Sequence, residues 1–270
     1  MTSSLVGSEM CIRDSHGTGD WSGRIVSLLP VTWVEDWPIL GEVLPQNIGT
    51  MKWDGKIPFK HTEKLYIKRS DDFDEDRLAP QWQWNYQPRK DYFSLTERPG
   101  WLRLKAYRPL DTNNLLKAGN TLTQRTFRKQ NNDVTIKMDI SNMQDGQKNG
   151  LCHFSSQHSA IGVMKEGDSC YLEYRKNGNI TKGIHIRSKF VWFRTEWGMD
   201  GKSQYYYSLD GDNFLPFGEM YQLTWGNYRG DRIGIYCFND KREDGFVDID
   251  YCGLLYTSPS PRDSTSSRMP

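Results

Sequence analysis

The chain has 270 residues, enough for one large domain or two small ones with a sizeable buried core. Its 35 Lys and Arg balance 34 Asp and Glu, and a net charge of +1 removes the electrostatic case for a nucleic-acid or anionic-membrane partner. Aromatic residues make up 13% of the chain, an excess that points to β structure and suits both sandwich cores and sugar rings, while no apolar run approaches the roughly 18 residues of a membrane-spanning helix.

The five Cys (Cys11, Cys152, Cys170, Cys237 and Cys252) are odd in number and form no CxxC pair, so neither a zinc site nor a disulfide framework is expected; free buried thiols are. At the two ends, SSLVGSEMCIRDS within residues 1–15 and GLLYTSPSPRDS within residues 253–270 have no strand or helix period, and both finish in Arg-Asp-Ser. They resemble translated sequencing-adapter text, with ordinary disordered termini as the alternative, and both are set aside from fold reasoning. On the adapter reading the gene continues beyond both ends and the chain is a fragment. Residues 1–15 also lack the apolar core of a signal peptide.

Residues 16–59 come first. Gly23 to Trp33 is a strand-like run, Asp36-Trp37-Pro38 is expected to turn the chain, and Ile39 to Val43 resumes it, a hairpin torn from a larger sheet. The stretch from Lys56, with Pro58, several Lys and few periodic apolar positions, reads as a linker that ends over residues 60–70. From 71 to 252, short runs rich in Val, Ile, Thr, Tyr, Phe and Trp alternate with Gly, Asn, Asp and Pro turns. Trp101–Ala106, Val134–Ile140, Tyr171–Tyr174, Gln204–Leu209, Arg232–Phe238 and Phe246–Tyr251 each alternate apolar and polar residues, the mark of a half-buried strand. The only helical signal is a turn at Asn113 to Lys117. The fold class is therefore all-β, two antiparallel sheets packed face to face, preceded by the hairpin.

Several stretches carry a family resemblance. His16-Gly17-Thr18-Gly19-Asp20-Trp21-Ser22-Gly23-Arg24 and Trp37-Pro38-Ile39-Leu40-Gly41-Glu42 look like the end of the five-bladed propeller of family 43 glycoside hydrolases, the β-xylosidases and α-L-arabinofuranosidases. Asp71-Asp72-Phe73, Trp82-Gln83-Trp84-Asn85, Ser94-Leu95-Thr96-Glu97-Arg98-Pro99-Gly100, Leu122-Thr123-Gln124-Arg125 and Gly230-Asp231-Arg232-Ile233-Gly234-Ile235 resemble the concanavalin A-like C-terminal sandwich, a jelly roll, of the same enzymes. The resemblance implies inverting hydrolysis by three acids on earlier propeller blades. Asp20, Glu35, Asp36 and Glu42 lie in one short hairpin and cannot replace them, so no catalytic residue is expected here.

What the resemblance implies for binding is narrower. Arg24 matches an arginine that reaches into the sugar site, where a guanidinium donates several hydrogen bonds, with a structural ion pair as the alternative. Tyr228, in Gly226-Asn227-Tyr228-Arg229-Gly230, stands where related sandwiches bring an aromatic across to close the pocket, although a Phe is usual there and an exposed turn aromatic is the bland alternative. His16 matches a histidine near the propeller axis. No cofactor is required. A structural calcium is weighed where the first and last strands meet, with Asp71 and Asp248 as ligands helped by Asp72 and Asp250, against simple solvation of Asp248 and Asp250 on the outer face. The expected partners are a xylo- or arabino-oligosaccharide and the missing propeller, with no nucleic acid and no membrane, in a bacterial parent enzyme that is secreted or periplasmic. The chain itself reads as the accessory sandwich, inactive alone and prone to self-association through the face the propeller would cover. The alternative is an independent carbohydrate-binding module that stacks sugars on Trp82, Trp84, Tyr205 and Tyr207.

Overall fold

A computed structural model describes residues 21–23, 29–50, 69–127, 130–226 and 230–256, with side chains as far as 254. Arg24, Tyr228, His16, Cys11, residues 60–68 of the linker and the adapter-like residues 1–15 and 257–270 lie outside the described residues, whereas residues 253–256, set aside with the C-terminal end, continue the last strand of the sandwich and pair with 132–135. The chain divides into two units, residues 1–19 with 24–67 and residues 20–23 with 68–270. Among the described residues no helix is long and apolar enough to cross a membrane.

In the first unit, β1 (Val31–Val34) and β2 (Trp37–Leu40) pair antiparallel, with Val34 opposite Trp37 and Trp33 opposite Pro38. Glu35 and Asp36 form the two-residue turn, both left-handed at φ 49° and 67°, the geometry that matches the twist of a tight hairpin. The turn thus falls earlier than Asp36-Trp37-Pro38, and Pro38 sits within a strand. It is tolerated there because an edge strand need not use its missing N–H. A second small pair, β3 (Val43–Leu44) and β4 (Ile48–Gly49), follows across the turn Pro45–Asn47.

The second unit holds the remaining strands. They are β5 (Gln83–Trp84), β6 (Phe93–Ser94), β7 (Leu102–Lys105), β8 (Thr121–Arg125), β9 (Asn131–Asp139), β10 (Gln147–Phe154), β11 (His158–Glu166) and β12 (Ser169–Lys176). After them come β13 (Asn179–Ile186), β14 (Phe190–Gly198), β15 (Lys202–Ser208), β16 (Leu215–Pro216), β17 (Tyr221–Gln222), β18 (Arg232–Asn239) and β19 (Phe246–Tyr256). A seven-stranded sheet runs β13-β12-β11-β10-β18-β8-β5, and an eight-stranded one runs β16-β15-β14-β9-β19-β7-β6, with β17 paired to β15. This is the antiparallel sandwich that the alternating sequence implies. Period-two strands present one face each, and Leu102, Leu104, Val134, Ile136, Val191, Phe193, Val247 and Ile249 from one sheet meet Leu122, Leu151, Ile161, Val163, Leu172, Ile233 and Ile235 from the other. The outer face of the seven-stranded sheet is covered as well. A second apolar cluster joins Cys152, Phe154, Ala160, Tyr236 and Phe238 to Leu115 and Ala118 of the 107–120 segment. That segment contains the expected turn, a 3-10 helix Leu115–Lys117 capped by the Asn114 side chain, which accepts from the Leu116 N–H at 3.0 Å.

The outer face of the eight-stranded sheet departs from expectation. Asp248 is buried there, not solvated, because the loop after β6 closes over it. Arg103 donates to both its oxygens, at 2.7 and 2.9 Å, and Arg98 bridges it at 3.1 Å to Asp139 at 2.8 Å. Asp248 and Asp250 do not continue one alternation, since β19 carries a bulge between Ile249 and Tyr251 that resets the inward positions to Cys252 and Leu254. Asp250 pairs with Lys137 at 2.8 Å. The Ser94–Gly100 string that carries the family resemblance is thus a structural element. Ser94 Oγ accepts from the N–H groups of Thr96 and Glu97, Glu97 pairs with Arg103 and Lys105, and Arg98 enters the Asp139–Asp248 pair. Asp248→Ala leaves two partly buried guanidinium groups, at 32% and 17% side-chain exposure, that water can rehydrate in part, so we expect a loss of about 2 kcal/mol, read by denaturant unfolding.

The cysteines agree with the sequence reading. Cys152, Cys170, Cys237 and Cys252 are free, and burial pushes the thiols of Cys237 and Cys252 up to about 12. Cys152 is raised further and faces the outer cluster while His153 faces the core, so the two form no nucleophilic pair.

Candidate functional site

The described residues of the 223–230 segment, 223–226 and 230, stand on a buried polar footing. Below them His153, on β10, spans the core. Its Nδ1 lies 2.8 Å from Asp231 Oδ1, and its Nε2 lies 2.9 Å from Thr195 Oγ1 on β14 of the opposite sheet. A proton on Nδ1 serves Asp231 and leaves Nε2 to accept from the Thr195 hydroxyl. The three residues copy the order of a nucleophile, base and orienting acid, but each has 0% of its surface exposed, so no reactant reaches them. Burial raises the Asp231 carboxyl, and the neighbouring His153 offsets this. Around them, the Tyr205 hydroxyl donates to Ser159 O at 2.8 Å and accepts from the His153 N–H at 2.9 Å, while the rings of Trp197, Tyr205 and Tyr221 pack on the imidazole.

Both ends of the loop are pinned. On the leading side, Ser155 and Thr224 share a 2.5 Å hydrogen bond, and Ser156 Oγ donates to Trp225 O at 2.6 Å. Gly226 lies so close to Ser155 that a Cβ there would stand 2.6 Å from the serine Cβ. On the trailing side, Gly230 adopts φ 74° against the strap Trp21–Gly23, where a Cβ would stand 2.6 Å from Gly23 N. Asp231 N donates to Trp21 O at 2.6 Å, and Arg125 donates to Ser22 O at 2.9 Å. Trp21 is buried in the sandwich core, and Gly201 makes room for its indole. Gly230→Ala combines a left-handed backbone with a main-chain collision, so we expect a loss of about 2 kcal/mol in unfolding free energy and looser protection of the loop amides in hydrogen exchange.

The other candidates are placed as follows. Asp71 does not meet Asp248. It pairs with Cys252, further along β19, and its carboxylate accepts from Phe73 N at 3.0 Å and Trp82 Nε1 at 2.7 Å. Asp248 has two guanidinium partners, which supply the charge that a cation would. The two acids therefore do not fit a shared calcium, and among the described residues no group of three or more His, Cys, Asp or Glu forms a metal site. The stacking platform is corrected too. Trp82, Tyr205 and Tyr207 are buried in the core, and Trp84 packs beside them on Phe93, so their faces are not presented to a glycan. Glu35 and Asp36 are exposed in the hairpin turn, and Glu42 is exposed after β2. The His153–Asp231 footing escaped the sequence reading, because a His and an Asp far apart in the chain leave no spacing signal.

Comparison with known proteins adds the lineage. Residues 70–253 match the family model described as Beta xylosidase C-terminal Concanavalin A-like domain. The chain is 34% identical over 260 residues to a β-xylosidase of Formosa agariphila, covering 88% of this chain and 44% of that protein. It is also 34% identical over 102 residues to the non-reducing end α-L-arabinofuranosidase BoGH43B of Bacteroides ovatus, covering 35% of this chain and 17% of that protein. Among solved structures, a bifunctional GH43-CE protein of Bacteroides eggerthii superposes with a TM-score of 0.69 at 29% identity over 86% of this chain and 31% of its own. The chain thus spans less than half the length of the curated relatives it matches. With the two-sheet architecture and a match over most of the sandwich, the chain belongs to the concanavalin A-like C-terminal domain family of the family 43 β-xylosidases.

Proposed function

We propose that this chain is the accessory β-sandwich of a family 43 glycoside hydrolase that acts on xylose- or arabinose-containing oligosaccharides, and that it shapes the sugar pocket through the 223–230 loop while contributing no catalytic acid. One observation carries this reading: the trailing end of the loop is held to the Trp21–Gly23 strap by the close approach of Gly230 to Gly23 and by the Asp231 N–H donated to Trp21 O. A loop pinned on Ser155, Ser156 and the Trp21–Gly23 strap, over the His153–Asp231 pair, offers the rigid footing that a pocket-closing aromatic needs. Glu35, Asp36 and Glu42, the acidic residues described in the first unit, are exposed.

The test has two arms. The purified chain is expected to give no turnover of aryl β-xyloside or aryl α-L-arabinofuranoside. Fused behind a family 43 catalytic propeller deprived of its own sandwich, it is expected to restore hydrolysis, and Tyr228→Ala in that fusion is expected to lower kcat/KM by about tenfold or more. Turnover by the chain alone, or a fusion indifferent to Tyr228, would sink the reading.

A further inference from the structure

The outer face of the eight-stranded sheet carries a concavity that contains no residue of the 223–230 loop. Register builds it. Asn131 stands opposite Gly198 on β14, and Asp133 stands opposite Glu196. Across β14, Glu196 stands opposite Gln204 and Arg194 opposite Tyr206 on β15. Gly198 therefore makes a low floor, between a wall of Asn131 and Asp133 and a wall of Lys202, Gln204, Tyr206 and Met220. The groove encloses about 330 Å³, within the range of about 300 to 1,000 Å³ typical of small-ligand sites.

Its chemistry is specific. Two carboxylates, Asp133 and Glu196, line the groove with Lys202, which stands 3.6 Å from Asp200, and Arg194 next to the groove has its Nη1 4.0 Å from Glu196 Oε1. Asp133 Oδ1 is buried and has no hydrogen-bond partner, an acceptor left open at the wall. Burial, with the nearby Glu196 adding to it, raises the Asp133 carboxyl to about 6. Gln204 spends its amide N–H groups on Tyr205 O and Gly218 O, so its oxygen remains as a further acceptor. The Tyr206 hydroxyl, hydrogen-bonded to Glu196, and the Lys202 ammonium, 3.6 Å from Asp200, stand beside these acceptors as exchangeable donors. Closely set acceptors and donors around a glycine floor beside a phenol ring match a neutral polyhydroxyl ring, whose hydroxyls donate and accept at once.

We infer that this groove is a saccharide-binding site, taking one or two rings of a neutral sugar chain with hydroxyls donated to Asp133 and Glu196. It uses none of the residues assigned to the 223–230 loop, so it stands or falls separately from the accessory role.

The experiment is titration of the purified full chain with xylose, xylobiose, xylotriose and arabinobiose, followed by calorimetry and by chemical shifts of the amides of 131–133, 196–198 and 202–206. Calcium chloride and lysine serve as cationic controls. We expect saturable binding of a pentose oligosaccharide in the millimolar range or tighter, with shifts confined to those amides and affinity falling as pH drops from 7 to 5. Asp133→Asn and Glu196→Gln, which keep shape, are each expected to weaken binding about tenfold. Gly198→Ala, whose Cβ would project beside Asp200 Oδ1 at 3.1 Å, raises the floor and is expected to do the same. Thermal melts of each variant separate loss of binding from loss of fold. No heat and no shifts with any sugar, calcium or lysine bound in their place, or binding indifferent to all three substitutions, would each overturn the site. A loss of activity in the propeller fusion with groove binding intact would bear on the accessory role alone.

Discussion

His153→Ala is expected to cost the sandwich about 3 to 5 kcal/mol, roughly 10 °C in Tm for a domain of this size, and to free the 223–230 loop. The reason is the company His153 keeps. It is the sole ring that joins Asp231, at the end of that loop, to Thr195 on the opposite sheet, and all three are fully enclosed. Removing the imidazole opens a cavity among Trp197, Tyr205 and Tyr221 and leaves the Asp231 carboxyl without its partner in an apolar core. Asp231→Asn is milder, about 1 kcal/mol, because an amide oxygen still accepts from Nδ1 and a neutral group is easier to bury, as the raised carboxyl already implies. Denaturant unfolding gives the energies, and hydrogen exchange at residues 223–226 and 230–231 reports the loop. Equal costs for the two variants, or unchanged exchange in His153→Ala, would contradict a footing built on this pair.

How much of this was legible in the sequence depends on what each strand faces. β7 and β15 have one face in the core, and their alternation announces them. β10 and β18 are buried along nearly their whole length, because the 107–120 segment covers their outer side; β10 shows no clear alternation in consequence, and Arg232–Phe238, which reads as half-buried, is buried on both faces. The same segment hides Glu173 and Arg175, an ion pair with no exposed surface that a period-two reading would send to solvent. Asp248 was misread for a related reason, since its side does point outward and only the folded loop at Arg98 and Arg103 turns that face into an interior.

The candidate sites were less legible than the strands. The family motifs located the sandwich, yet the residues that make them recognisable, Asp71 and Trp82, Glu97 and Arg98, hold the fold together and touch no site. Conserving a family shape and recognising a sugar are separate demands on the chain, and here the first left the stronger mark. The groove at Gly198 is a product of register across three strands. Its acids lie outside the stretches that alternate clearly: Asp133 just precedes Val134, where the apolar pattern starts, and Glu196 is far from it in sequence. Spacing along the chain carries no trace of such a juxtaposition.

The pH response of stability offers the other large effect, because two buried groups oppose each other. His158 is 5% exposed, and burial, with Arg175 adding to it, pushes its imidazole from 6.5 down to about 4. The folded chain thus refuses a proton that the unfolded chain takes. The stability from His158 is whole above pH 6.5 and is lost as pH falls toward 4, at up to about 1.4 kcal/mol per pH unit. Asp133 runs the other way. Its carboxyl is raised from 3.8 to about 6, so the folded chain holds a proton that the unfolded chain has released, and its contribution, present below 3.8, is lost as pH rises through 6. Between pH 4 and 6 the two slopes oppose, and the native chain is expected to change little through this pair, Asp133 being the weaker because solvent screens it in part. Single substitutions unmask each slope. Asp133→Asn leaves His158 alone, and unfolding free energy is expected to fall by about 2 kcal/mol from pH 6.5 to 4.5. His158→Asn leaves Asp133 alone, and stability is expected to rise over the same interval by about 1 to 2 kcal/mol. Urea unfolding at the two pH values decides the matter, with each variant referred to the double variant that lacks both groups, so that the carboxylates held low by their partners, such as Glu97 and Asp139, cancel. Slopes of one sign in both variants would mean that one of these groups titrates in the folded chain much as it does in the unfolded one.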